Sequence, residues 1–411
     1  MKNFQTRLTT AFATGAVLLN AIAPVAFAQT SLTITGNGSS SNNDVNVSQN
    51  NSVNVTQNNT ANIDNNVDVN SSTGNNTASG NVGGDVEVTT GNATTNVSVS
   101  NVANSNSASV DACCTSNATV NISGNGSDSY NDVDLKFDNN VNVDQDNDAH
   151  IDNNVDVDSD TGDNKASDNV GGNVTVKTGN TDTTVTLTTA ANANSAVVSG
   201  GEGHDGGTVS AWILGNGTGS DNDINIDLNN DVNVDQYNDA YVDNNVDVYA
   251  ETGDNKASDN VGGDVAIHTG NADATIEADT LVNFNAADVE GCACLTGLEA
   301  KIAGNGSFSD SVIEYDADTE LDVDQDNHAD VDNDADVDGD TGDNKSNDNV
   351  GAVDAESDPM VHTGNTETTV DMSTSGNANT FGEDLGDLLD GLEIDFDFDF
   401  SGLLSMVSDW M

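Results

Sequence analysis

The chain has 411 residues, with 70 Asp and Glu against 8 Lys and Arg, for a formal net charge of −62. That balance excludes nucleic acid and anionic membrane surfaces as partners, since almost nothing could neutralise phosphates, and it makes cations the natural ones. Low aromatic content with extreme charge would signal disorder, but here Val, Ile and Ala recur with a strict period of two, which argues for an ordered fold.

Residues 1–28 read as an export leader. Lys2 and Arg7 supply a basic start, an apolar run follows, and Ala26-Phe27-Ala28 gives the small residues of a cleavage site before Gln29. Asn20 and Pro24 interrupt the run and leave it short for a bilayer span. No later segment is apolar and long enough to cross a membrane, so no span is expected after cleavage. The remaining chain keeps six lysines and no arginine against 70 acidic residues, a net charge of −64. A secreted or cell-surface location follows.

From Gly36 onward the chain repeats itself. Gly36-Asn37-Gly38 recurs at Gly124, Gly215 and Gly304, in steps of 88, 91 and 89 residues, and Gln57, Gln145, Gln236 and Gln325 keep the same steps. TGDNKASDNVGG stands unchanged at Thr161–Gly172 and Thr252–Gly263, with close variants from Thr73 and Thr341. The organisation predicted is four repeats, 36–123, 124–214, 215–303 and 304–380, followed by a C-terminal element over 381–411.

Each unit opens on the GNG turn and enters a long alternating stretch, V-N-V-x-Q-x-N-x-A-x-[VI]-D-N. A Gly-rich turn (TGDN to VGG), a short strand (DVEV, NVTV, DVAI), a TGN turn and a Thr- and Val-rich strand complete it. Period-two alternation separated by Gly and Asn clusters means strands and turns, so the repeats are all-β. Two architectures can bury such units: a β-solenoid-like stack or a string of small β-sandwiches. Small inward residues and almost no large aromatics favour the stack, where inward Gln and Asn would form amide ladders between neighbours.

On a strand over residues 141–160, Val141, Val143, Gln145, Asn147, Ala149, Ile151, Asn153, Val155 and Val157 share one face, and the aspartates share the other. Stacked units would place like carboxylates about 4.8 Å apart. At about 5 Å each such pair repels by roughly 1 kcal/mol in bulk water, so the face calls for salt or bridging divalent cations. Asp144, Asp146, Asp148, Asp152, Asp156, Asp158, Asp160, Asp324, Asp326, Asp336, Asp338 and Asp340 are the candidate cation ligands. Ca²⁺, which takes several hard oxygens, is the cofactor this chemistry suits. Known calcium loops do not fit: counted as an EF-hand from Asp156, the glycine comes one place late at Gly162 and the twelfth residue is Ser167. Cation binding is therefore expected to be diffuse. The first unit carries Thr56, Asn58 and Asn70 where the second has Asp144, Asp146 and Asp158, and Thr77 where later units have Lys165, Lys256 and Lys345. Those lysines read as local charge compensation in an acidic turn.

Cys113, Cys114, Cys292 and Cys294 lack zinc spacing, and an exported setting makes them disulfide candidates of undetermined pairing. The five histidines are scattered, and no nucleophile, base and orienting group recur together, so a non-enzymatic protein is expected. Within 381–411, Leu385, Leu388, Leu389 and Leu392 keep helical spacing and IDFDFDF alternates like a strand. That element reads as a short α/β cap on the open end or as an assembly element.

The TG[DN]N-x-A-x-x-N-V-G-G and TGN signatures resemble Asn/Asp-rich repetitive exported proteins of uncultured, small-genome bacteria, over about residues 36–380. Their function is uncharacterised, so the resemblance implies only a cell-surface setting. The Q-x-N-x-A-x-[VI]-x-N stretch is similar in part to the ladder repeats of curlin-type subunits. The function expected from all this is a secreted, acidic surface protein of a layer, filament or adhesin. Its expected partners are divalent cations, cell-surface components and further copies of itself. A soluble extracellular cation-binding protein is the alternative, and a solenoid polysaccharide-acting enzyme a lesser one, because no carboxylate pair is singled out.

Overall fold

The computed structural model describes residues 20–22, 30–111, 117–199, 207–289, 295–351 and 360–382. The four cysteines, residues 383–411 of the C-terminal element and most of the leader lie outside the described residues.

Each rung of a parallel stack is one repeat long and opens on the strand just before the GNG turn, and the rungs pile directly on one another. The first comprises β2 (Thr30–Thr35), β3 (Asn42–Ser72), β4 (Thr77–Ser79), β5 (Val86–Thr89) and β6 (Ala93–Asp111). The second comprises β7 (Ala118–Ser123), β8 (Tyr130–Asp160), β9 (Lys165–Ser167), β10 (Val174–Lys177) and β11 (Thr181–Ser199). The third runs through β12 (Gly207–Leu214), β13 (Asp221–Glu251), β14 (Lys256–Ser258), β15 (Val265–His268) and β16 (Ala272–Val289). The fourth runs through β17 (Leu295–Ala303), β18 (Asp310–Asp340), β19 (Lys345–Asn347), β20 (Met360–His362) and β21 (Thr366–Phe381). Equivalent strands join into five parallel sheets, four of them four-stranded. The fifth has an extra first strand, β1 (Asn20–Ile22), which lies beside Ala108–Val110 of β6 at the first-rung end.

The β3-β8-β13-β18 sheet dominates. Its strands are 31 residues long, or roughly 100 Å at about 3.3 Å per residue. All 31 residues of β8 pair with β13 without a register shift. The 19-residue strands β6 and β11 return across its inner face. The strand that precedes the next GNG turn covers the remainder, with Val120 and Ile122 of β7 packed on Val133, Leu135 and Phe137 of β8. The fold is thus a thin two-layer solenoid-like stack, and a string of separate sandwiches is excluded because equivalent strands of different repeats are hydrogen-bonded neighbours.

The interior follows the alternation. Val141, Val143, Gln145, Asn147, Ala149, Ile151, Asn153, Val155 and Val157 are all fully or almost fully buried. Small apolar residues suit this interior because the two layers close to about 10 Å, and the amides between them are satisfied by the rungs above and below. Turns repeat by the same logic of close approach. A Cβ on Gly162 would lie 2.3 Å from the Gly253 carbonyl oxygen in the next rung, so only glycine fits.

Two features are not visible in the periodicity. The Gly-rich turn contains a strand of its own, β4, β9, β14 and β19 in successive rungs. The returning strands also change face halfway. In β11, odd-numbered residues point inward up to Thr189, and from Asn192 the even-numbered ones do. Asn192 adopts φ +61, as Asn104 (+54), Asn283 (+62) and Asn377 (+55) do at the same place in their rungs. Asparagine tolerates this left-handed conformation better than most residues, and one such residue inverts the alternation of everything after it.

Candidate functional site: stacked amides inside, stacked carboxylates outside

Register turns single residues into columns. Inside, Asn59 Nδ2 donates to Asn147 Oδ1 at 3.1 Å, Asn147 to Asn238 at 3.0 Å and Asn238 to Asn327 at 2.9 Å. Asn65, Asn153, Asn244 and Asn333 do the same at 2.7, 2.8 and 2.6 Å. On the facing layer Asn106, Asn194, Asn285 and Asn379 form a third column at 3.0, 3.0 and 3.1 Å. The left-handed asparagines form a fourth, at 3.0, 3.0 and 3.1 Å. In each of them the lower rung donates and the upper accepts. Columns also clamp the layers together, as where Asn194 Nδ2 donates to Asn238 Oδ1 at 3.0 Å. The glutamine column runs the opposite way: Gln145 donates down to Gln57 at 2.7 Å, Gln236 to Gln145 at 2.8 Å, and Gln325 to Gln236 at 2.7 Å.

Outside, the same register aligns carboxylates. Asp64, Asp152, Asp243 and Asp332 form one column, and Asp68, Asp156, Asp247 and Asp336 another, four residues along the strand. These two are acidic in all four rungs. Of the residues singled out from sequence, Asp152, Asp156 and Asp336 fall in them. Asp144 and Asp324 flank Asp235 in a three-membered column, while Tyr237 and Tyr249 interrupt the columns of Asp146 with Asp326 and of Asp158 with Asp338. Asp148 stands beside Asp239, whose other neighbour is His328, with Nδ1 3.1 Å from the Asp239 carboxylate. Asp160 and Asp340 sandwich Glu251. Sequence reasoning along single strands misses Asp243, Asp247, Asp332 and Glu251. The repeat steps are the signal that finds them, because the columns are those steps applied residue by residue.

The carboxylates record their crowding. Burial, then Asp152 and Asp332, hold Asp243 above the usual carboxylate range. Burial, then Asp156 and Asp336, do the same to Asp247. Asp146 is raised by burial and by Asp144, Asp148 and Asp239. Glu251 is pushed up to about 7 by burial and by Asp160, Asp254, Asp163 and Asp340. Few cations answer them. Lys136 Nζ lies 3.3 Å from both Asp138 and Asp227, Lys177 lies 3.1 Å from Glu87 and Lys345 lies 3.8 Å from Asp343. Lys165, Lys256 and Lys345 themselves stack as neighbours at the acidic turn. Exposed pairs of this kind contribute little. Among the described residues no group of three His, Cys, Asp or Glu side chains converges as a metal cage. The acidic face is a lattice of carboxylates rather than a pocket.

Fold and columns together define a parallel β-solenoid-like repeat protein with an amide-laddered interior and a carboxylate-laddered surface. No known protein family matches the chain, and no curated protein or solved structure does either.

Proposed function

We propose that this chain is a secreted, non-enzymatic structural protein of the cell surface, whose acidic stack is screened and cross-linked by divalent cations. The observation that carries the reading is the pair of uninterrupted aspartate columns. Carboxylates stacked at about 4.8 Å gain from any hard cation that shares its coordination between rungs or between molecules. Calcium bound across such columns lowers the repulsion within one stack and joins the faces of two. The leader-like start of the chain supports export, where calcium is available.

Thermal melting at fixed ionic strength tests the reading. Millimolar calcium should raise the melting temperature more than an equal ionic strength of sodium. An unchanged melt across that range overturns the cation role.

A further inference from the structure

The two ends of the stack differ, and they differ in matching ways. In all four asparagine columns described above, donation runs from the first rung towards the fourth. Two turn columns keep that direction: Asn76 to Asn164, Asn255 and Asn344, and Asn81 to Asn169, Asn260 and Asn349. At the fourth rung only the bonds that every rung makes within itself remain, the equivalents of Asn238 donating to Phe284 O and Asn285 Oδ1. Asn327 donates to Ala378 O and Asn379 Oδ1, Asn333 to Thr374 Oγ1, and Asn379 to Gln325 O, all within their own rung. The fourth-rung end therefore presents asparagine donors, beside the amide oxygen of Gln325 from the one glutamine column that runs the other way. The first-rung end presents amide oxygens on Asn59, Asn65 and Asn104.

Core residues mark the same end. Ile313, Tyr315, Leu321 and Val370 continue buried columns from Ile224, Ile226, Val232 and Ile276, yet they are 45, 54, 48 and 48% exposed where their neighbours are 1, 0, 8 and 0%. They sit where another rung would bury them. Charge separates the ends as well. The long strand carries three acidic residues in β3 and fourteen in β18, all on the outward face. The first rung offers Asn54, Thr56, Asn58, Thr60 and Asn62 where the fourth offers Asp322, Asp324, Asp326, His328 and Asp330.

We infer that the fourth rung of one molecule docks the first rung of a second copy, continuing the asparagine columns and building a polar, head-to-tail stack. The chain's own residues 383–411 contain neither Asn nor Gln, so they offer no amide to continue the columns. A second first rung does, since β3 has the same 31-residue length as β18 and places Asn59 and Asn65 over Asn327 and Asn333. Docking two fourth rungs instead would set asparagine donors against asparagine donors and fourteen acids against fourteen. Leader removal fits the same geometry, because Asn20–Ile22 occupies part of the first-rung edge at Ala108–Val110. The inference deepens the structural reading above and does not depend on calcium.

The test images the chain, with and without residues 1–28, by electron microscopy, and sizes it by sedimentation against protein concentration and salt. The form starting at Gln29 should grow unbranched stacks one molecule wide. The outward quadruple variant T56D/N58D/T60D/N62D raises the first long strand from three acidic residues to seven, against ten in the second, and should raise the critical concentration at least tenfold at low salt. The reverse variant D324N/D326N/D330N at the other end should lower it, and it guards against a folding defect in the first. A chain that stays monomeric, that stops at dimers, or whose stacking ignores both variants overturns the inference. A monomer that still melts at higher temperature in calcium would sink the stack and leave the cation role standing.

Discussion

Asn153 and Asp152 are neighbours on one strand, and each is stacked on its own kind, with opposite consequences. Asn153 faces inward and donates to Asn244 at 2.8 Å while accepting from Asn65. Asp152 faces outward between Asp64 and Asp243, and burial with crowding by Asp152 and Asp332 raises the Asp243 carboxyl. An amide is both donor and acceptor, so a column of amides satisfies itself. A carboxylate only accepts, so a column of carboxylates repels unless something else enters. The same register that builds the core strains the surface.

Breaking the inner half of this comparison should have the largest effect. Asn153→Asp puts a carboxylate between Asn65 and Asn244 with no cation in reach, and burying a charge without a partner costs about 3 kcal/mol or more. Chemical denaturation should show a loss of that order, or no folded protein at neutral pH. Next comes the spacing on which both columns depend. Gly162→Ala forces a Cβ to within 2.3 Å of the Gly253 carbonyl oxygen and should cost about 1–3 kcal/mol as the rungs move apart. The melting temperature reads it, and wild-type stability would show that the turn has slack.

The outer half predicts smaller effects with a definite sign. Glu251 holds its proton to about pH 7 when folded, against an ordinary value of 4.5. The folded chain therefore binds more protons than the unfolded one between those values, and stability falls as pH rises through them. Melting temperature should decline from pH 5 to pH 8, and Glu251→Gln should flatten that decline and raise the value at pH 8. A variant with the wild-type slope would show that the crowding at Glu251 is relieved in solution. Smallest of all, Asp152→Asn removes one charge from an exposed column. It should stabilise by about 1 kcal/mol or less at low salt, an effect that high salt erases. Asn would then be favoured over Asp at both positions, one residue apart, by a large margin inside and a small, salt-sensitive one outside.

Much of this architecture is legible in the order of residues alone. Valine at every second position from Val141 to Val157 marks the inner face, and the 88, 91 and 89 residue steps of Gln57, Gln145, Gln236 and Gln325 become the register of the sheets. The turn residues are legible in type, since Asp163, Asp168 and Asp259 take positive φ, where Asp, Asn and Gly are tolerated. The KAS strands stay hidden because three residues carry no usable period. The inversion at Asn192 stays hidden because alternation looks equally regular on either side of it. The continuous acidic columns escape a reading along single strands, because Asp152 owes its crowding to Asp243 and Asp64 in other rungs.

Alternation, repeat length and extreme charge belong to the sequence, because they are properties of order and composition. Whether the repeats stack in register, which way the amide columns donate and which aspartates stand alone or together were settled by the tertiary fold. A hydrogen bond or a repulsion between rungs depends on distance, which order along the chain does not specify. Residues some 90 positions apart come within about 4.8 Å only when parallel strands pair.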